Sequence, residues 1–321
     1  MKAAVRSRFG PPGVIAIEDV AEPELTPDGV LVRVRAASPN RADVYAMLGR
    51  PLVARVEMGL RRPKTPRLGG DYAGTVEAVG SEVEDFRPGD EVFGGKLGAF
   101  AERLVVTDDI VHKPANLDFA QAATLPTAGV TALQALRDRG GLQDGERVLV
   151  NGASGGVGTF AIQIAKAMGA TVTAVCSSAN VDQARRLGAD AVVDYTVDDV
   201  TRGDDRFDVV IDVAGSRPWS QLRRVLAPSA RVVIVGGPST GALLGPLRHI
   251  AGMRIASLAG RATATFFVAR FNRPDFEVLA RMAAAGQITP LVEATYPLSR
   301  TADAMRHMQG HVRSKLVITV P

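Results

Sequence analysis

The chain has 321 residues, with 38 Lys and Arg against 34 Asp and Glu and a formal net charge of +4, a basic excess too small for a nucleic-acid signature. Its 46% hydrophobic and 22% charged residues exclude a disordered chain, and the length predicts about two domains. The one cysteine, Cys176, excludes an internal disulfide and a cysteine-rich zinc cluster, and favours a reducing compartment.

The first ~110 residues read as short strands separated by Gly and Pro turns, the pattern of a small barrel or sandwich. Val30, Val32 and Val34 alternate with Leu31, Arg33 and Arg35, the period of a half-buried strand. Further strands are predicted at 74–80, after the turn that opens at Arg87-Pro88, and at 100–106. From Leu117 strands and helices alternate. A helix is predicted over 120–136 with a kink at Pro126, then a strand over 147–150. A helix over 156–168 follows, with Val157, Ala161, Ile164, Ala165 and Met168 on one face. Strands at 171–176, 191–193, 208–213 and 231–235 and a helix at 181–187 complete a doubly wound parallel sheet. After residue 260 the pattern loosens into helices at 276–285 and 302–308 and a closing strand at 315–320.

The strongest local signal is the turn from Val148 to Gly158, where a strand ends, glycines follow and a helix begins. Ala153, Gly155 and Gly158 form the pattern A-x-G-x-x-G. It lets the backbone approach a pyrophosphate and presents a helix N-terminus to it, so the segment is read as a dinucleotide-binding turn. The second strand ends in Cys176-Ser177-Ser178, without the acidic residue that binds the ribose of NAD, which permits NADP. Tyr195 either adds a hydroxyl there or is a half-buried aromatic. His112, His249, His307 and His311 make no metal-binding spacing, and Gly310 breaks the helix between the last two.

These features accompany Ala37-Ser-Pro-Asn40 with Asp43, Gly69-Gly-Asp-Tyr-Ala-Gly74, Phe86 to Phe93, Gly98 to Glu102, Leu125 to Thr131 and Ser314 to Ile318. With them the chain resembles the zinc-independent medium-chain dehydrogenase/reductases, in the NADPH:quinone oxidoreductase branch. The resemblance implies an α/β protein with a GroES-like β-rich catalytic domain at 1–120 and 265–321. A Rossmann cofactor domain, a doubly wound parallel sheet, is implied at 121–264, with the active site in the cleft. Zinc relatives have Gly-His-Glu where this chain has Gly69-Gly70-Asp71, and a cysteine near Asn40, so no metal site is expected.

Site roles are carried over on the matching motifs. Asn40 is expected at the nicotinamide ribose or the substrate carbonyl, or as a turn-forming residue. Tyr45 either lines the substrate site or packs in the core, and Asp43 braces the following helix. Thr131, Gly236 and Gly237 are expected near the nicotinamide. Ser154, Gly155, Gly156 and Val157 are expected at the pyrophosphate, Ser177 and Tyr195 at the 2′-phosphate, and Lys315 reaching the cofactor. Asn180 stands where relatives carry Lys or Arg, so the expected preference for NADPH is modest, with NADH possible.

The implied reaction is hydride transfer from NADPH to a quinone or to the β-carbon of an α,β-unsaturated carbonyl. The alternatives are an enoyl-thioester reductase and a cofactor-loaded binding protein with a basic loop for nucleic acid. The stretch Arg50 to Arg67 carries six cations against Glu57, but lacks interleaved aromatics, so a solvated loop is preferred over a nucleic-acid contact. Nothing approaches the ~20 apolar residues of a membrane span, and with Gly10-Pro11-Pro12-Gly13 following so soon no signal peptide is expected. A cytoplasmic homodimer acting on a small molecule is expected, with no membrane partner and with a nucleic-acid partner disfavoured.

Overall fold

The computed structural model describes residues 1–236, 247–258 and 260–321, with only the helical backbone of 247 and 248. The described chain divides into two compact units, Met1–Val130 with Phe271–Pro321, and Thr131–Arg270.

In the first unit β1 (Lys2–Arg6) pairs antiparallel with β2 (Ile15–Asp19). β3 (Val30–Ser38) is longer than its alternation required, and Val30, Val32 and Val34 are all buried. Then come α1 (Arg41–Leu48), the short α2 (Arg55–Met58), β4 (Asp71–Val79), β5 (Glu91–Gly95), β6 (Arg103–Val106) and β7 (Ile110–His112). The helix predicted over 120–136 is interrupted, as its proline suggested: α3 (Phe119–Ala122) stops before α4 (Leu125–Gln134), and a π-turn follows at Ala135–Arg139. The boundary between the units falls inside α4.

In the second unit the chain runs β8 (Arg147–Asn151), α5 (Gly156–Ala167), β9 (Thr171–Cys176), α6 (Val181–Arg186), β10 (Ala191–Asp194) and β11 (Phe207–Asp212). It continues through α7 (Trp219–Leu222), β12 (Leu226–Ile234), α8 (Leu247–Ser257) and β13 (Thr263–Phe266). The six strands are all parallel, in the order β10-β9-β8-β11-β12-β13. The winding starts at β8 and reverses direction between β8 and β11, the switch point at which such sheets bind ligands. α5 is not amphipathic as predicted: Gly158 to Ala165 are buried all round, while Val157 and Met168 are half-buried. A helix apolar on every side is an interior one.

The chain then returns to the first unit as α9 (Arg273–Ala284), β14 (Val292–Pro297), α10 (Thr301–Gln309) and β15 (Lys315–Thr319). β15 pairs parallel with β14 and antiparallel with β3, giving the order β14-β15-β3-β4-β5-β7 with β6 also on β3. The C-terminal strand is thereby built into the N-terminal sheet. Met305 and Met308 of α10 join the same buried cluster as Val32, Tyr72 and Phe100.

Candidate active site

The first unit buries a charged cluster where β3 turns into α1. Asn40 caps α1, and its backbone N–H donates to Asp43 Oδ2 at 2.7 Å, as the bracing role predicted. Asn40 Nδ2 donates to Asp71 Oδ2 at 2.8 Å and to the Ser38 carbonyl at 3.2 Å. Lys315 Nζ donates to Asn40 Oδ1 and to the Pro39 carbonyl, and stands 3.6 Å from Asp71 Oδ2. The ammonium requires the amide oxygen and the carboxylate requires the amide N–H₂, so the two charges fix the orientation of the Asn40 amide. Thr127 completes the cluster, its hydroxyl donating to Asp71 Oδ1 at 2.5 Å and its backbone N–H at 3.2 Å.

Two consequences follow. Both N–H groups of the Asn40 amide are used inward, and Lys315 is buried at the same point. Sequence reasoning singled out Asn40 and Lys315 but missed Asp71 and Thr127 as their partners. Asp71 was noted only as the neighbour of Gly70.

Burial, reinforced by the Asp71 charge, pushes the Asp43 carboxyl up to about 7. Burial likewise raises Asp71 and lowers Lys315, against the attraction between them. The Asp43 shift has a measurable sign. The folded chain holds this proton to about pH 7, whereas an unfolded Asp releases it near pH ~4. The contribution is therefore fully present below about pH 4 and lost as pH rises through about 7. Denaturation of the wild type and Asp43→Asn across this window should show the wild type losing stability relative to the variant as pH rises.

Tyr45 stands on α1, half-buried, and its hydroxyl has no hydrogen-bond partner among the described residues. His307 bonds Tyr296 at 2.9 Å and His112 stacks on Phe86, so these two histidines have local structural partners. Among the described residues no three His, Cys, Asp or Glu side chains gather as a metal group.

The second unit carries the glycine turn. A Cβ on Gly158 would lie 2.2 Å from the Gly152 carbonyl oxygen, so the start of α5 is pressed against the turn. A Cβ on Gly155 would meet nothing nearer than that oxygen at 3.9 Å. One glycine is needed for packing, and the other leaves open space beside the helix N-terminus. The first-turn N–H groups of α5, from Gly156 and Val157 onward, have no intrahelical acceptor and face an anion's usual position. Ser154 lies half-buried in this turn. The residues fit a dinucleotide pyrophosphate.

At the end of β9, Ser177 Oγ accepts from Asn180 Nδ2 at 2.9 Å. Asn180 is buried, and its Oδ1 has no partner. Tyr195 is half exposed after β10, its N–H donating to the Cys176 carbonyl. Cys176 is buried, and burial raises its thiol, the behaviour of a packing residue. Gly236 follows β12, where a Cβ would strike the Val213 carbonyl at 2.2 Å. Thr131 is half-buried on α4, and Gly237 lies outside the described residues.

Two further features escaped the sequence reading. Asp194 ends β10 in register with Cys176, and its carboxylate accepts from Ser178 Oγ, Thr196 N and Thr196 Oγ, which holds it ionised. Asp212 ends β11, its Oδ1 taking Asn151 Nδ2 at 2.7 Å and Gly215 N at 2.9 Å. Its Oδ2 and His249 Nε2 are both buried without a hydrogen bond, 3.9 Å apart.

Comparison with known proteins agrees with both units. Residues 26–116 match the alcohol dehydrogenase GroES-like domain and residues 187–318 a zinc-binding dehydrogenase domain. The mitochondrial NAD(P)H oxidoreductase RTN4IP1 of Homo sapiens is 37% identical, over 92% of this chain and 82% of that protein. The chain belongs to the medium-chain dehydrogenase/reductase family. This dehydrogenase/reductase is also 33% identical to a chloroplastic NADPH-dependent alkenal/one oxidoreductase of Arabidopsis thaliana, over 99% of this chain and 79% of that one. The quinone oxidoreductase of Coxiella burnetii superposes with a TM-score of 0.86 at 31% identity, covering 100% of this chain and 99% of that one. The medium-chain dehydrogenase/reductase described here is an NAD(P)H-dependent oxidoreductase of the quinone oxidoreductase branch.

Proposed function

We propose that this enzyme transfers a hydride from NADPH to a quinone or to the β-carbon of an α,β-unsaturated carbonyl, without a metal. The observation that carries the proposal is the turn with Gly155 open and Gly158 closed, in a chain whose relatives are named for quinones and alkenals. When bound, the nicotinamide supplies the hydride. Ser154, Gly155, Gly156 and Val157 hold the pyrophosphate through backbone N–H groups. Ser177 and Tyr195 serve the adenosine end, and Thr131 and Gly236 the nicotinamide end.

The first unit must then stabilise the negative charge that develops on the carbonyl oxygen. The Asn40 amide is already saturated by Asp71, Ser38 and Lys315, so its role is to hold the start of α1 in place. The Tyr45 hydroxyl, on the same helix and without a partner among the described residues, is the donor assigned to that oxygen. Asp71, which stands where zinc relatives carry the Glu of Gly-His-Glu, is paired with a buried ammonium. Tyr45→Phe is expected to lower kcat on the order of 10²-fold with the melting temperature unchanged. An unchanged kcat on a good substrate removes Tyr45 from the mechanism.

The preference for NADPH is modest for a stated reason. No acid ends β9, but the ionised Asp194 of the neighbouring strand stands beside Ser178 and would oppose a 2′-phosphate. Asp194→Asn should raise the ratio of kcat/KM for NADPH over NADH severalfold. A fall, or no change, would separate Asp194 from cofactor choice.

No helix among the described residues is long and apolar enough to cross a membrane. A cytoplasmic homodimer completes the proposal. The experiment is oxidation of NADPH and NADH against quinones, enones and enoyl thioesters, with a metal assay on the same sample. Turnover of quinones or enones by metal-free protein supports the reading. Turnover of enoyl thioesters alone replaces it.

A further inference from the structure

The basic stretch noted in the sequence is not an evenly solvated loop. Residues Leu52–Ala54 form a single 3₁₀ turn that runs directly into α2. One side of this helical segment is anchored. The Arg55 guanidinium lies 4.7 Å over the Phe9 ring and its Nε donates to the Gly49 carbonyl at 3.0 Å, while Ala54 and Met58 are half-buried. The other side carries Leu52, Val53, Val56 and, just past the helix, Leu60, with Val56 and Leu60 each 70% exposed.

Arg50, Arg61, Arg62 and Lys64 are exposed around these aliphatic residues, and none has an ion-pair partner among the described residues. Elsewhere many surface cations are paired: Arg103 with Glu22 and Glu77, Arg273 with Asp85 and Glu277, Arg300 and Arg306 with Asp303. Here only Glu57 opposes four cations.

Exposed aliphatic side chains and unneutralised cations on one short segment suit different partners singly but one partner jointly. A nucleic acid would use the charge and leave the aliphatics in water, and the segment has no aromatic ring on which a base could stack. An anionic bilayer takes both. Valine and leucine enter the boundary between headgroups and acyl chains, while arginine and lysine meet lipid phosphates. We propose that the segment from Arg50 to Lys64 is a membrane-surface contact that seats this protein on anionic lipid. The sequence reading excluded a spanning segment and expected no membrane partner. The aliphatic exposure that revises it became visible only once α2 was placed. The contact belongs to the first unit and does not depend on which acceptor the enzyme reduces.

The test is flotation of the full chain with vesicles of phosphatidylcholine alone and with one-third phosphatidylglycerol, at low and high salt. Heparin and a single-stranded RNA serve as competing polyanions. The wild type should float with the anionic vesicles at low salt, and not with the neutral ones. Each cation contributes roughly fivefold to partitioning, so Arg61→Gln with Arg62→Gln should cost more than tenfold. Val56→Ser with Leu60→Ser should lose vesicle binding while retaining any heparin binding. Both double variants should keep the wild-type melting temperature and solution NADPH oxidation. Absence of wild-type flotation with anionic vesicles at low salt overturns the proposal. So does vesicle binding that survives Val56→Ser with Leu60→Ser, or RNA binding tighter than vesicle binding.

Discussion

Replacing Lys315 with Met is expected to destabilise the protein by about 3–5 kcal/mol, because the substitution leaves a buried carboxylate without its counter-charge. Lys315 and Asp71 are both fully buried, and Lys315 also meets the oxygen of the Asn40 amide. Removing the ammonium strands Asp71, raises the cost of Asp43 beside it and frees the amide to turn. At a few degrees per kcal/mol for units of this size, the melting temperature should fall on the order of 10 °C. The reverse change, Asp71→Asn, should cost less, since Asn can still accept from Thr127 and the Lys315 ammonium keeps the Asn40 amide oxygen and the Pro39 carbonyl as acceptors. Combining Lys315→Met with Asp71→Asn should recover much of the loss, because a buried pair replaced by neutral groups of similar volume is close to neutral. Thermal unfolding of the two single variants and the double variant checks this. A Lys315→Met protein that melts with the wild type would mean that the cluster does not carry the stated charges.

The second large effect separates the two glycines of the dinucleotide turn. Gly158→Ala places a methyl group 2.2 Å from the Gly152 carbonyl and 2.7 Å from Ala153 backbone atoms. None of these atoms is the end of a flexible side chain, so the helix must move. The expected cost is about 1–3 kcal/mol, with loss of dinucleotide binding as the N-terminus of α5 is displaced. Gly155→Ala meets no such obstacle and should leave the melting temperature near that of the wild type. Its methyl group instead occupies the space left beside the helix N-terminus, so the Kd for NADPH should rise more than tenfold. Calorimetry gives both quantities on the same samples. Equal melting temperatures and equal affinities for the two variants would remove the distinction between packing and ligand approach.

What the sequence showed and what it concealed divide along a physical line. The central strands of the parallel sheet were legible because each is a short, nearly continuous apolar run bounded by turns. β13 and β14 were not, since Thr263-Ala-Thr-Phe266 is short and Val292 to Pro297 alternates with polar and charged residues. The glycine turn was legible because strand, turn and helix are contiguous. The charged cluster was only half legible. Asn40 and Asp43 are local, whereas Thr127 and Asp71 are 56 residues apart and Lys315 and Asn40 are 275 apart. No periodicity records such contacts. Asp194 escaped for the same reason: an acid was sought at the end of β9, and pairing with β10 brings one there from the next strand.

The most direct test of the whole account follows the hydride itself. With NADPH deuterated at both C4 positions and an α,β-unsaturated ketone as acceptor, the enzyme should oxidise the cofactor and yield the saturated ketone. Deuterium should lie on its β-carbon, and the carbon next to the carbonyl should carry a solvent proton. Deuterium elsewhere in the product, or no cofactor oxidation with any enone or quinone, would contradict the account.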